Sequence, residues 1–273
     1  MKKIALLVYC SIFLFSCEEV VQIEVPSGTP KLVIEALFEV HFDDVPVTAQ
    51  TIVKLRLSAD YFEEEIPLVT NAIVSLKNLS NNSIIFFQDE DLDGNYLPVS
   101  TFIPEDDIVY ELSVTYNNEV FKGKTVKTKT PKFIGVEQGT KTLFSGKETE
   151  VIVEFSDDEL QENFYLFDFS NNLYLSIEDR FFNGSDYNFS FFYQEGEIEI
   201  PSDVLIKMAG VSKDYYTYFR VLTSQSGQSG GGPFQTTPSS LLGNIVNTTD
   251  ATNFPLGYFN ISETTTYTLS LTE

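Results

Sequence analysis

The chain has 273 residues, 42% of them apolar and 14% aromatic, with no tryptophan and a single histidine. Its 17 basic residues face 40 acidic ones, giving a net charge of -23. That balance argues against a nucleic-acid partner, because phosphate binding relies on clustered cationic side chains, and it disfavours ionic adhesion to anionic lipid.

Residues 1–16 are predicted to be a lipoprotein signal peptide. A basic start (Lys2, Lys3) leads into an apolar run of 12 residues, Ile4 to Phe15, where a membrane span takes about 20. The stretch Leu14-Phe15-Ser16-Cys17 resembles a bacterial lipobox, in which Cys17 becomes the first mature residue and its thiol is acylated. Processing removes Cys10, the other of the two cysteines, so no intrachain disulfide can form. Residues 17–30 read as a tether, closed by Pro26-Ser27-Gly28-Thr29-Pro30.

From Lys31 the pattern has period two. Leu32, Ile34, Ala36 and Phe38 alternate with Glu35 and Glu39. Val53, Leu55 and Leu57 alternate with Lys54 and Arg56, and Tyr110, Leu112, Val114 and Tyr116 with Glu111, Ser113 and Thr115. Each run is a half-buried antiparallel strand. Residues 31–130 are therefore predicted to form an N-terminal Ig-like β-sandwich.

Within it, Asp89, Asp91, Asp93 and Gly94 match the opening of a calcium loop. The twelfth position, which should supply a bidentate glutamate, is Ser100, and Pro98 sits in the exit. The flanks are β-rich, and Asp93-Gly94 between apolar runs is a hairpin signal. The turn reading is preferred, with Asp89, Asp91 and Asp93 as metal ligands in the alternative. Lys122, Lys124, Lys127, Lys129 and Lys132 then read as an exposed strand guarded against edge pairing, in preference to a patch for an anionic partner.

Pro131 is the expected domain boundary, and residues 131–273 the second β-rich domain of an all-β, mainly antiparallel chain. Strands are expected around Val151, Val153 and Phe155, and around Tyr165, Phe167 and Phe169. The stripe Tyr187, Phe189, Phe191 and Tyr193 is read as core before any sugar-stacking role. Near residues 212–225 the period changes. Tyr215, Tyr218, Phe219 and Leu222 recur at helical spacing behind Ser212, an N-cap, so one amphipathic helix is expected. A strand with Tyr267, Leu269 and Leu271 inward closes the pattern.

Catalytic motifs are missing. A Ser-His-Asp triad would have to use His41, and no G-x-S-x-G accompanies it. Zinc needs more His or Cys ligands, no Ser precedes a Lys by three, and Gly230 to Gly232 lead into Pro233 rather than a P-loop lysine. No cofactor is predicted. Paired carboxylates leave glycan or peptide hydrolysis as a minor alternative.

The lipobox, "KLVIEALF" at the first strand, "DGNY" at the turn, "SKDYYTYFRVL" at the helix, "GGPFQTTPSSLLGNIVN" (Gly231 to Asn247) and "PLGYFNIS" (Pro255 to Ser262) together resemble a Bacteroidota lipoprotein family. That family is known as domain of unknown function 4249. The resemblance covers nearly the whole mature chain. It implies an outer-membrane lipoprotein, often encoded beside a TonB-dependent receptor, and supplies no catalytic motif. The matching Pro233, Phe234, Pro238, Gly243, Asn244, Gly257, Tyr258 and Phe259 read as backbone punctuation and core.

The expected function is that of an outer-membrane-anchored accessory lipoprotein. It would be a binding or structural partner of a TonB-dependent receptor, with a small-molecule or glycan ligand left open. A free-standing surface binding module or adhesin is the alternative. Glu18 and Glu19 after Cys17 resemble a surface-export signal and point the anchored protein toward the cell exterior.

Overall fold

The structure, a computed structural model, describes residues 28–60, 63, 65–226 and 241–273. The signal peptide, Cys17 and most of the tether lie outside the described residues, as do Pro233, Phe234 and Pro238. The first eight strands are β1 (Leu32–His41), β2 (Thr48–Gln50), β3 (Val53–Leu57), β4 (Ile73–Asn78), β5 (Ile84–Gln88), β6 (Asn95–Pro98), β7 (Val109–Tyr116) and β8 (Glu119–Thr128). Then come β9 (Phe133–Gln138), β10 (Thr149–Ser156), β11 (Phe164–Asp168), β12 (Tyr174–Glu178), β13 (Asp186–Tyr193) and β14 (Ser202–Gly210). Helix α1 (Lys213–Gln225) follows, and then β15 (Ile245–Asn247) and β16 (Leu256–Leu271). The expected all-β class with one helix is what the described chain adopts.

The alternation read from the sequence becomes the two faces of β1. Ile34, Ala36 and Phe38 are buried in the first core with Leu55, Leu76 and Leu112, while Glu35 and Glu39 face away. The first sandwich is completed by segments from beyond Pro131. β15 pairs with β8, and the first half of β16 pairs with β1, placing Phe259 and Ile261 in the first core. β8 also meets β16 at Lys127 and Thr128, so the run of paired strands from β16 through β1, β3, β6, β5, β4 and β7 returns to its start. The β1–β16 ladder is parallel, an exception in a mainly antiparallel structure.

The second half of β16 then pairs with β14 and carries Leu269 and Leu271 into a second core. There they meet Phe155, Tyr165, Phe167 and Ile206 beneath the three-stranded sheet β13-β10-β9. One strand thus serves two cores; full burial of a side chain such as Phe259 contributes about 1.5–3 kcal/mol. Tyr267, expected inward on β16, is 41% exposed.

Gly257 lets β16 run close beside β1. Its φ is +97°, and a Cβ there would collide with the Ile34 carbonyl oxygen, Ile34 being its partner in the parallel ladder. Helix α1 covers the opposite face of the large sheet. Ser212 caps it by accepting the Tyr215 N–H at 3.2 Å, and Tyr215 and Tyr216 are buried against Phe164, Val211 and Tyr258 in a third, smaller core.

Candidate functional site

The residues singled out in the sequence fall into separate places. Asp89, Asp91 and Asp93 lie in the loop between β5 and β6. It is longer than a two-residue hairpin, because the Asp89 carboxylate closes it, accepting the N–H groups of Asp93 at 3.1 Å and Gly94 at 2.9 Å. Asp93 accepts from the backbone and side-chain amides of Asn95, which with Arg56 nearby hold its carboxyl below the usual carboxylate range. Arg56 donates to the Gly94 carbonyl at 2.8 Å. Asp91 is exposed. Among the described residues no group of three or more His, Cys, Asp or Glu is placed to hold a metal ion.

The lysine run is not a bare edge. β8 lies between β7 and β15, a correction to the expected exposed strand, which had no local sign of the distant β15. Its charges are matched: Lys122 and Lys124 by Glu111, Lys127 by Asp106 and Glu263, Lys129 by Asp106, and Lys132 by Asp43. The aromatic stripe on β13 packs against the second core, and the Tyr193 hydroxyl donates to the Phe169 carbonyl at 2.6 Å. His41 ends β1 with Nε2 3.7 Å from Glu39.

A buried carboxylate pair, Asp157 and Asp179, clamps loops. Asp157 accepts from the Tyr165 hydroxyl and the Gly184 N–H, and Asp179 from the Asn163 N–H at 2.7 Å. Burial, with the Asp157 charge beside it, raises the Asp179 pKa.

The cavities under α1 combine apolar walls with polar groups. The outer face of β1 and β16 forms a floor of Val33, Glu35, Leu37, Leu256 and Tyr258, and α1 overhangs it with Tyr218, Phe219 and Leu222. The groove between them has a volume of about 900 Å³. Its rings are mutually packed, Tyr218 and Tyr215 each 4.9 Å from Tyr258 and Tyr174 5.4 Å from Phe219. At one end Lys31 donates to Asn253 at 3.3 Å and sits 4.4 Å over the Phe254 ring. Burial, and then the Glu35 charge, raise the Tyr218 pKa; burial followed by Asp168, Glu35 and Glu39 does the same for Tyr174.

A second, smaller chamber of about 160 Å³ shares Leu37, Tyr174, Tyr215 and Phe219 with the groove. Its polar wall comes from Asn260, Ser262 and Thr264, successive residues on one face of β16, and from Glu39, Asp168 and Lys207. Lys207 donates to the Glu39 carboxylate at 3.2 and 3.3 Å, and Asn260 donates to the Ser262 hydroxyl at 2.8 Å. Asn260 Oδ1 and Thr264 Oγ1 have no hydrogen-bond partner, although their residues are only 3% and 1% exposed. A buried polar atom left unpaired costs about 1–3 kcal/mol. Nothing in the sequence warned of this wall: Asn, Ser and Thr at alternate positions carry no motif, and only pairing with distant strands buries them.

A further feature lies on the outside of the first sandwich. Ile73, Ile84, Phe86, Leu97 and Val99 point outward from β4, β5 and the end of β6, each at least half exposed. Phe86 and Val99 are cross-strand neighbours, the Val99 N–H donating to the Phe86 carbonyl at 2.9 Å.

A family model described as "Domain of unknown function (DUF4249)" matches residues 18–268, and the chain belongs to that family. No curated protein matches it. Among solved structures, a DUF4785 family protein from Legionella pneumophila is similar at 11% identity and a TM-score of 0.21, over 66% of this chain and 52% of that one. The chicken interferon gamma receptor alpha chain is similar at 12% identity and a TM-score of 0.19, over 68% of this chain and 90% of that one. The chain spans about half the length of the Legionella protein.

Proposed function

We propose that the protein is an outer-membrane-anchored accessory lipoprotein that docks on a TonB-dependent receptor as a binding or structural partner. The anchor rests on the lipobox resemblance at Cys17, the acidic Glu18 and Glu19 turn it toward the cell exterior, and the receptor pairing rests on the family resemblance. The observation that carries docking is the uncovered apolar face bearing Ile73, Ile84, Phe86, Leu97 and Val99. Exposed apolar side chains gathered on one face of a sheet mark interaction surfaces.

Extraction of the tagged protein from native membranes in mild detergent, with mass spectrometry of what co-purifies, tests this reading. The wild type is expected to bring down a TonB-dependent receptor in near-equal amount. Phe86→Glu, an exposed position, is expected to reduce that recovery by about tenfold, and Cys17→Ala to lose it from the membrane fraction. Recovery of the protein alone would sink the receptor reading. The free-standing surface binding module or adhesin, which the groove under α1 also suits, would then take its place.

A further inference from the structure

We infer that the cleft beside β2 takes an extended, uncharged segment of a partner protein, which joins the sheet there as an added strand. The inference deepens the docking reading and rests on it for the identity of the partner, because Leu97 belongs both to the exposed apolar face and to the wall of the cleft. β2 and β3 form one line of chain beside β1. Ala49 lies opposite Val40 and Leu55 opposite Ile34, six residues apart on either strand, so no residue is inserted between them. Leu55 turns its backbone away from β1, its N–H donating to the Gly94 carbonyl at 2.9 Å and its carbonyl accepting from the Val69 N–H at 3.2 Å. Backbone direction alternates along an antiparallel strand. The N–H and C=O groups of Ala49 and Thr51 therefore also point away from β1.

β6 does not cover them. It runs beside β3 as far as Tyr96, opposite Val53, and then crosses to β5, where Leu97 and Pro98 pair with Gln88 and Phe87. Where it departs, a cleft of about 790 Å³ opens between residues 47–52 and a wall of Leu97, Pro98 and residues 101–103. Among the described residues no strand pairs with that side of β2, and no backbone hydrogen bond crosses the cleft. Ala49 is partly exposed between the exposed Thr48 and Gln50, so its groups are open to an incoming chain; Thr51 lies more buried on the same line. The chemistry of this edge selects the occupant. Each of the two residues offers one donor and one acceptor, and the pairs stand about 6.7 Å apart, the two-residue repeat of an extended peptide. A peptide backbone meets both pairs, as in strand addition at an open sheet edge, whereas an apolar small molecule or a lipid chain would meet neither. None of the lining residues is charged, so a charged side chain would lose water there without gaining a partner. Val47, Leu97, Phe102 and Ile103 instead favour apolar side chains on the incoming strand.

The test uses the full chain in detergent and, as probe, a capped hexapeptide of alternating valine and threonine. Its depsipeptide analogue, with esters in place of the amides, keeps the side chains and donates nothing. The peptide is expected to slow hydrogen exchange at residues 47–52, and the analogue to bind at least about tenfold more weakly. Ala49→Pro removes an N–H that faces the cleft, so it is expected to weaken the peptide by about tenfold and leave Tm nearly unchanged. Gln50→Pro removes one that faces β1 and is expected to lower Tm clearly. In native-membrane extracts Ala49→Pro is expected to reduce recovery of the receptor. The inference is overturned if the peptide does not protect residues 47–52, if the analogue binds equally well, or if peptide binding survives Ala49→Pro. It is also overturned if the free protein is a dimer that Ala49→Pro separates, since the occupant is then a second copy. A receptor lost with Phe86→Glu but retained with Ala49→Pro overturns the added strand and leaves the docking reading intact. Peptide binding at residues 47–52 without any receptor in the extract supports the strand site and sinks the receptor reading alone.

Discussion

Glu148 shows how a single carboxylate holds a loop. It accepts the backbone N–H groups of Leu143 and Ser145 at 3.0 Å and of Lys147 at 3.2 Å. Burial pushes its pKa up, but hydrogen bonds from Ser145 and these amides outweigh that effect and bring it down to about 2, against an ordinary 4.5. A depressed carboxylate pKa contributes stability that is present above the unfolded value and lost as pH falls through the folded one. Glu148→Gln is therefore expected to lower Tm at pH 7, and the gap to the wild type should close as pH falls from 4.5 toward 2. A gap that stays constant across that range in thermal melts would show that the charge is not what holds the loop. Local chemistry of this kind was partly legible: Asp93-Gly94 announced its turn, and Ser212 its cap. Asn260 and Thr264 were not, because their meaning depends on which strands lie beside them.

Among the elements, β1 and α1 were readable because each advertises its own period. In β1 the apolar side chains fall at alternate positions, and in α1 Tyr215, Tyr218, Phe219 and Leu222 follow the helical repeat. β16 was glimpsed only at its end, where Leu269 and Leu271 alternate with polar residues. Upstream, Asn260, Ser262 and Thr264 are buried polar residues on the face beneath α1, and they hide the strand from any apolar count. The parallel β1–β16 ladder is sensitive at Gly257, whose positive φ and contact with the Ile34 carbonyl leave no room for a side chain. Gly257→Ala is expected to destabilise by about 3 kcal/mol or more, combining backbone strain with a backbone collision. Equilibrium urea unfolding measures this directly, and a loss below about 1 kcal/mol would mean that the ladder re-registers without penalty.

On the scale of the whole molecule, the sharing of β16 couples the two halves. Phe259 sits in one core and Leu269 in the other, on a single uninterrupted strand. One calorimetric transition is expected, and both Phe259→Ala and Leu269→Ala should move it as a whole. The former should weaken the fold by about 3–5 kcal/mol. Two separable transitions, each answering to only one substitution, would show that the halves unfold independently. The sequence displayed two β-rich regions on either side of Pro131, and it could not display the strand that joins them. Long-range pairing leaves no local signature.

That late strand also sets when the protein can fold. Every other strand of both sandwiches precedes β16 in the chain, yet neither core closes without it. A nascent chain halted before Leu256 lacks the partner for the whole inner edge of β1. Such a chain stays incompletely folded until synthesis has passed beyond that point.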